Sequence, residues 1–188
     1  MAGAGTAAAY PRKRRFDRAR PGTRLKAGRE RSVTGTRTPQ LHIRAAGEHD
    51  LGAILALYAQ PEMDGASTTP ERAREVFREI ARTPGYTLYV GESDGNVVAT
   101  FALMIMPNIG HCATPAGVLE DIAVAPACQG QGIGRALVAE AMRLCALAGC
   151  YKLTLSSNMR RAAAHAFYER LGFERHGYSL RIDIPQRG

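Results

Sequence analysis

The sequence lacks any apolar run long enough to cross a membrane. Its longest, near Phe101–Met106, falls far short of the roughly 20 residues that a spanning helix needs. It also lacks a signal-peptide core and any internal repeat. Cysteine is scarce: Cys112, Cys128, Cys145 and Cys150 are the only four. None forms a CxxC pair, and no His/Cys cluster has zinc-site spacing, so a zinc module has no basis here. The expectation is a soluble cytoplasmic protein with reduced thiols, no metal and no membrane partner. The 188 residues suffice for one domain with a real core, and no internal linker divides them.

Acid is missing from one region only. Residues 1–38 hold 11 Lys and Arg against 2 Asp and Glu, whereas 39–188 hold 14 against 15. The formal net charge of +8 therefore belongs to the first segment, which is also poor in large apolar side chains. Burial there cannot offset the entropy of ordering, which predicts a disordered extension over 1–38 and a folded domain over 39–188. Three roles fit such an extension: a dispensable tail, an arm touching nucleic acid or another acidic partner, or an organelle-targeting peptide. The folded part is nearly neutral and offers no electrostatic case of its own for nucleic-acid binding.

Within the domain, Leu41–Ala46 alternates as a strand does. Leu51, Ile54, Leu55 and Tyr58 then fall at helical spacing. Thr69 and Pro70 read as the N-cap and first residue of a helix with Val76, Phe77 and Ile80 on one face. Two strands flank Asp94-Gly95-Asn96, a hairpin turn. "VLEDIAVAP" is a strand ended by Pro126, and the helix through "GRALVAEAMRLCALA" closes at Gly149 as a left-handed cap. "YKLTLSS" is a strand, "RRAAAHAFYERL" a helix stopped by Gly172, and "SLRIDI" a last strand. The order β-α-α-β-β-β-α-β-α-β describes a single α/β domain, a mixed central sheet flanked by helices.

Between the "LEDIAV" strand and the next helix stands "ACQGQGIGRAL". Gly130, Gly132 and Gly134 let the backbone turn sharply and keep side chains out of the way. The first amides of the helix have no internal partners and carry the positive end of its dipole. Such a turn suits phosphate oxygens, and Arg135 adds a full cation. A nucleotide-hydrolysing P-loop is excluded because no Lys-Ser/Thr follows. A dinucleotide fingerprint is excluded by spacing: Arg135 stands where its third glycine belongs, and the motif follows about the fourth strand rather than the first.

The Q-x-x-G-x-G of Gln129–Gly134, after "LEDIAVAPAC", resembles the pyrophosphate-binding segment of the Gcn5-related N-acetyltransferase (GNAT) family. "KLTLSSNMRRAAAHAFYERLGFERHGYSL" is similar to that family's later half, and the match spans roughly residues 41–184. The resemblance implies acetyl-CoA as co-substrate. Backbone groups of Ile122, Ala123 and Val124 would pair with its pantetheine arm as an added strand. Amides of Gln129, Gly130, Gln131, Gly132, Ile133, Gly134 and Arg135 would hold its pyrophosphate. Asn158 would contact the pantetheine arm or a bound water, unless it serves only as a helix N-cap.

Acetyl transfer from a thioester to an amine needs a base for the ammonium proton and an acid for the leaving thiolate. By the same resemblance the acid is Tyr168, within "AFYERLGF"; a phenol with an ordinary pKa of about 10 keeps its proton at neutral pH. Tyr168 would also line the coenzyme site. Glu120 is the candidate base, directly or through water, with Asp121 the alternative. On a two-residue period Glu120 shares a face with Ile122 and Val124, and Asp121 with Leu119 and Ala123. One acid therefore points into a mostly apolar neighbourhood, where burial raises its pKa. The Ile122 amide could polarise the thioester carbonyl. His111, in a loop that could border the acceptor pocket, and His165 and His176 are lesser candidates.

The "LEDIAV" and "CYKLTLSSN" strands are similar to those of glucosamine-6-phosphate acetyltransferases, and "LSSNMRRAAAHAFYERLGF" to aminoalkylphosphonate acetyltransferases. The implied acceptor is a small primary amine, with Arg160, Arg161 or Arg181 available for an anion. A protein N-terminus or lysine, or a non-catalytic acyl-CoA sensor, are the alternatives. The family's habit and an exposed last strand also point to a homodimer.

Overall fold

The computed structural model describes residues 41–61, 63 and 68–184. The basic extension and the readings attached to it lie outside these residues. The elements are β1 (His42–Ala45), a 3-10 turn (Glu48–Asp50), α1 (Leu51–Tyr58), α2 (Pro70–Arg82), β2 (Tyr86–Ser93), β3 (Asn96–Met106), a short α3 (Gly110–Ala113), β4 (Ala116–Val124), a 3-10 turn (Pro126–Cys128), α4 (Ile133–Leu147), β5 (Leu153–Thr154) and α5 (Ala162–Arg170).

Local chemistry sets these boundaries. The Thr69 hydroxyl accepts the Arg72 amide at 3.2 Å, with Pro70 opening α2. Asp94 and Gly95 both have positive φ, 50° and 76°, as a two-residue hairpin turn requires. Buried Asp50 takes both guanidinium nitrogens of Arg44, at 2.7 and 2.9 Å, and the Gly47 amide at 2.7 Å. This anchors the start of α1 to β1.

The sheet order is β1-β2-β3-β4-β5. The first three junctions are antiparallel and the last is parallel. One face packs against α4 and α5 through Phe101, Leu103, Leu119, Leu137, Val138 and Phe167. The other packs against α1 and α2 through Ile54, Tyr58, Phe77, Leu88, Val90 and Ala102. No helix among the described residues is long and apolar enough to cross a membrane.

Two features position the site. First, β4 and β5 pair only at Gly117–Leu153 and Val118–Thr154, so β4 runs on to Val124 beyond the end of that ladder. Second, β4 bulges. Ala102 opposes Glu120 and Thr100 opposes Ala123, leaving Asp121 and Ile122 together opposite Phe101. Asp121 takes the left-handed conformation, φ 52°, as the bulge demands of one residue.

The expected order holds through α5, but the last strand is corrected. Residues 178–184 form no strand, and their large apolar side chains are exposed. A strand needs a neighbouring backbone to pair with. Here β5, the strand at that edge of the sheet, is only two residues long.

Candidate active site

The glycine turn has the form expected from its composition. Gly130 and Gly132 have φ of 75° and 84°, and a Cβ on either would meet nothing within 4 Å. The space above the turn is open. Gly132 is the N-cap of α4. The first helical bond runs from the Ala136 amide to the Gly132 carbonyl at 3.1 Å, so the amides of Ile133, Gly134 and Arg135 precede the helical ladder. The two glutamines brace the loop from within: Gln131 donates to the Ala127 carbonyl at 3.0 Å and Gln129 to the Val124 carbonyl at 3.3 Å. Gly134 has a different task. A Cβ there would lie 3.2 Å from Phe167 Cζ, so this glycine lets α5 approach α4 and sets the position of the adjoining Tyr168.

Tyr168 is half-buried, edge-on to Phe167 and Phe173 with ring centroids 5.1 and 5.7 Å away. Burial raises its pKa above the ordinary phenol value, Arg161's charge pulls it down, and Glu120's charge pushes it up. The two residues expected to supply acid and base are thus close enough to feel each other.

The bulge overturns the two-residue period on β4. Leu119 faces the α4–α5 core, and so do Ile122 and Val124. The bulge absorbs the extra residue between them. Glu120 opposes Ala102, which belongs to the α1–α2 core, and Asp121's charge reaches Tyr58 and Tyr86 on that same side. Both carboxylates therefore turn toward α1 and α2, rather than to opposite faces. Glu120 keeps solvent access, yet surrounding atoms desolvate its carboxylate and Asp121 adds a like charge, so its pKa is raised.

Three polar groups here escaped the sequence reading. The Tyr58 hydroxyl is enclosed beside Thr100, whose own hydroxyl donates to the Tyr89 carbonyl at 2.8 Å. Burial, then Asp121, raises the Tyr58 phenol well above its ordinary pKa. Tyr86 is raised by burial and by both carboxylates. Ser157, beyond the end of β5, has a buried hydroxyl with no partner. Tyr58 falls on an ordinary helical stripe and Ser157 in an ordinary loop, so neither carried a signal.

Asn158 is not the helix N-cap of the plainer reading: Arg161 holds that position in α5, and the Asn158 Oδ1 accepts the Arg160 amide at 2.9 Å in a turn ahead of the helix. His111 stacks on Tyr151, centroids 4.3 Å apart, ahead of β5. A surface hollow of about 450 Å³ between α1 and α2, lined by Glu48, Leu51, Leu55, Pro70 and Arg74 among others, includes none of the candidates. Among the described residues no group of three His, Cys, Asp or Glu could hold a metal.

The profile of the Acetyltransferase (GNAT) family matches residues 51–173. The chain belongs to the acetyltransferase (GNAT) family. The α4 turn, the stretch of β4 beyond its ladder with β5 and Tyr168 all fall within the matched region. A glucosamine 6-phosphate N-acetyltransferase of Trypanosoma brucei brucei is 28% identical over 150 residues, 77% of this chain and 96% of its own. An aminoalkylphosphonate N-acetyltransferase of Salmonella typhimurium is 28% identical over 136 residues, 72% of this chain and 86% of its own. The structure of a putative acetyltransferase from Agrobacterium tumefaciens superposes with a TM-score of 0.71 at 34% identity, covering 76% of this chain and 99% of that one. As a GNAT acetyltransferase, the protein is an enzyme that moves an acetyl group to an amine.

Proposed function

We propose that the protein transfers acetyl from acetyl-CoA directly to a primary amine of a small molecule, both substrates being bound together. The observation that carries this is the gap where β4 outruns β5. The α4 turn follows this stretch of β4 directly in the chain, and the charge of Glu120, on β4, reaches Tyr168, on α5. The residues present fit an elongated diphosphate ligand. Gly130 and Gly132 border open space, and the amides of Ile133, Gly134 and Arg135 precede the helical ladder at the positive end of α4. The Gln129 amide is excepted, because it donates to the Pro126 carbonyl at 3.3 Å. The backbone of Ile122, Ala123 and Val124 continues past the β5 ladder. The bound coenzyme supplies a thioester, whose acyl carbon is the electrophile.

The chain's own residues handle the protons. Glu120, its pKa raised, takes the ammonium proton directly or through water. Tyr168, protonated at neutral pH, gives its proton to the departing sulfur. The Ile122 amide stabilises negative charge on the attacked carbonyl. Asn158 and the unpartnered Ser157 hydroxyl border the pantetheine path. Two relatives carry names of small phosphorus-bearing amines. Of the candidate arginines, Arg161 is the one whose charge reaches Tyr168, which favours it for an acceptor's anion. The four free cysteines fit a cytoplasmic setting, and a homodimer belongs to the same proposal.

Initial-rate kinetics over a panel of small amines, with and without a phosphate or phosphonate group, test this reading. Acetylated product and intersecting double-reciprocal lines are expected. Parallel lines would indicate a covalent acetyl-enzyme, and thiol release on no amine would leave only a binding module.

A further inference from the structure

Helix α4 ends on a left-handed glycine, and a cysteine stands on each side of that end. Gly149 has φ 72°. Its amide donates to the Ala146 carbonyl at 3.1 Å, and the Cys150 amide donates back to the Cys145 carbonyl at 2.9 Å. This nested pair of bonds is the Schellman closure, which folds the residue after the glycine back onto the last turn of its helix. An apolar contact between those two residues commonly accompanies it. Here both carry thiols, and the two side chains are hydrogen-bonded to each other. A disulfide spans roughly 4.4–6.8 Å between Cα atoms, a separation that two residues joined by a backbone hydrogen bond meet. Cys145 is buried in the α4–α5 core and Cys150, half-buried, packs against it. Both are free thiols.

We propose that Cys145 and Cys150 form a modification site, a dithiol that a small-molecule disulfide converts to an intramolecular disulfide clasping the end of α4 to the residue that leads into β5. The Cys150 thiolate attacks one sulfur of the small disulfide, forming a mixed disulfide and releasing one small thiolate. Cys145 then gives its proton to water and attacks the Cys150 sulfur, and the new S–S bond expels the second small thiolate. Two protein thiols are oxidised, and one small disulfide is reduced to two thiols. The order of attack follows from the surroundings. Burial, then the Cys150 sulfur, pushes the Cys145 thiol up to about 12, so it keeps its proton at neutral pH and does not begin the exchange. Cys150 is the more accessible of the two. The bridge would sit under a sensitive place. The Cys145 sulfur fills the space that Gly117 leaves, where a Cβ would strike it. Gly117 pairs with Leu153 in the short β4–β5 ladder, and its amide donates to the Lys152 carbonyl at 2.9 Å.

Peptide mass spectrometry on the full chain tests this. Trypsin cuts after Arg143 and Lys152 and leaves both cysteines on one peptide, 144–152. The reduced protein is incubated with glutathione disulfide, its remaining thiols are alkylated in denaturant, and the peptide is weighed. It should be two hydrogens lighter than its reduced form, with neither glutathione nor an alkyl group attached. Cys145→Ser should stop at glutathione on Cys150, and Cys150→Ser should leave Cys145 alkylated and free of glutathione. In buffers of graded reduced and oxidised glutathione, the bridge should withstand about tenfold more reduced glutathione in the folded chain than in guanidinium. That comparison separates a site shaped by the fold from two cysteines that are merely near in sequence. Two alkyl groups on the peptide, glutathione retained on Cys150 of the unsubstituted chain, glutathione on Cys145 of the Cys150→Ser variant, or a bridge reduced as easily folded as unfolded would each overturn the proposal.

Discussion

The turn at 129–135 and the bulge at 120–122 lie at the same end of β4 but are built on opposite plans. The turn is local. Consecutive residues make it, its glutamines brace their own loop, and its working groups are backbone amides. The bulge is collective. Its two carboxylates are placed by a register shift against β3, and their surroundings come from α1, β2 and α5. A ligand that offers a diphosphate can be held by a local device, since amides need only a helix start and room. Proton transfer needs side chains brought together from distant positions, because their pKa values depend on what surrounds them.

The largest effect expected of any single change falls on the collective side. Tyr168→Phe removes the acid and keeps the ring contacts with Phe167 and Phe173. Turnover should fall by roughly two orders of magnitude or more, while coenzyme affinity, measured by calorimetry, stays as it was. A parallel loss of affinity would erase the division between the two regions.

Gly132→Ala probes the local side. The residue has φ 84° and nothing near its Cβ position, so any effect is conformational. Holding alanine there costs about 1–2 kcal/mol. Coenzyme affinity should therefore weaken about tenfold, with turnover at saturation largely kept. Gly134→Ala is the contrasting control, because its methyl would press on Phe167. Overpacking of roughly 1 kcal/mol should lower the melting temperature by a few degrees and disturb Tyr168 before coenzyme binding.

How legible each region was in the sequence follows from the same contrast. Gly130, Gly132 and Gly134 announced a turn because glycine is needed where φ is positive or a neighbour presses close, and the caps at Thr69 and Gly149 were equally local. The strand period at Glu120 and Asp121 misled, because a bulge is fixed by the partner strand and has no signature in β4 alone. Tyr58 and Ser157 gave no warning, since a buried hydroxyl exists only once other elements enclose it. The segment "SLRIDI" has a strand's alternation, yet alternation shows which side wants cover and cannot supply the neighbour.

The smallest predicted effect concerns pH. Asp121→Asn removes the like charge beside Glu120 and keeps a side chain tolerant of positive φ. The Glu120 pKa should fall toward its ordinary value. Because the base works ionised, the acid limb of the kcat/KM profile should move to lower pH. An unmoved limb would take Glu120 out of the base role or place Asp121 too far to matter.

The α4 amides are the proposed seat of the coenzyme's diphosphate. Calorimetric titration of the folded protein with coenzyme A and, separately, with pantetheine, which lacks the diphosphate, addresses it directly. Binding of coenzyme A with pantetheine far weaker is the predicted result; equal binding of the two, or no binding of coenzyme A, would contradict it.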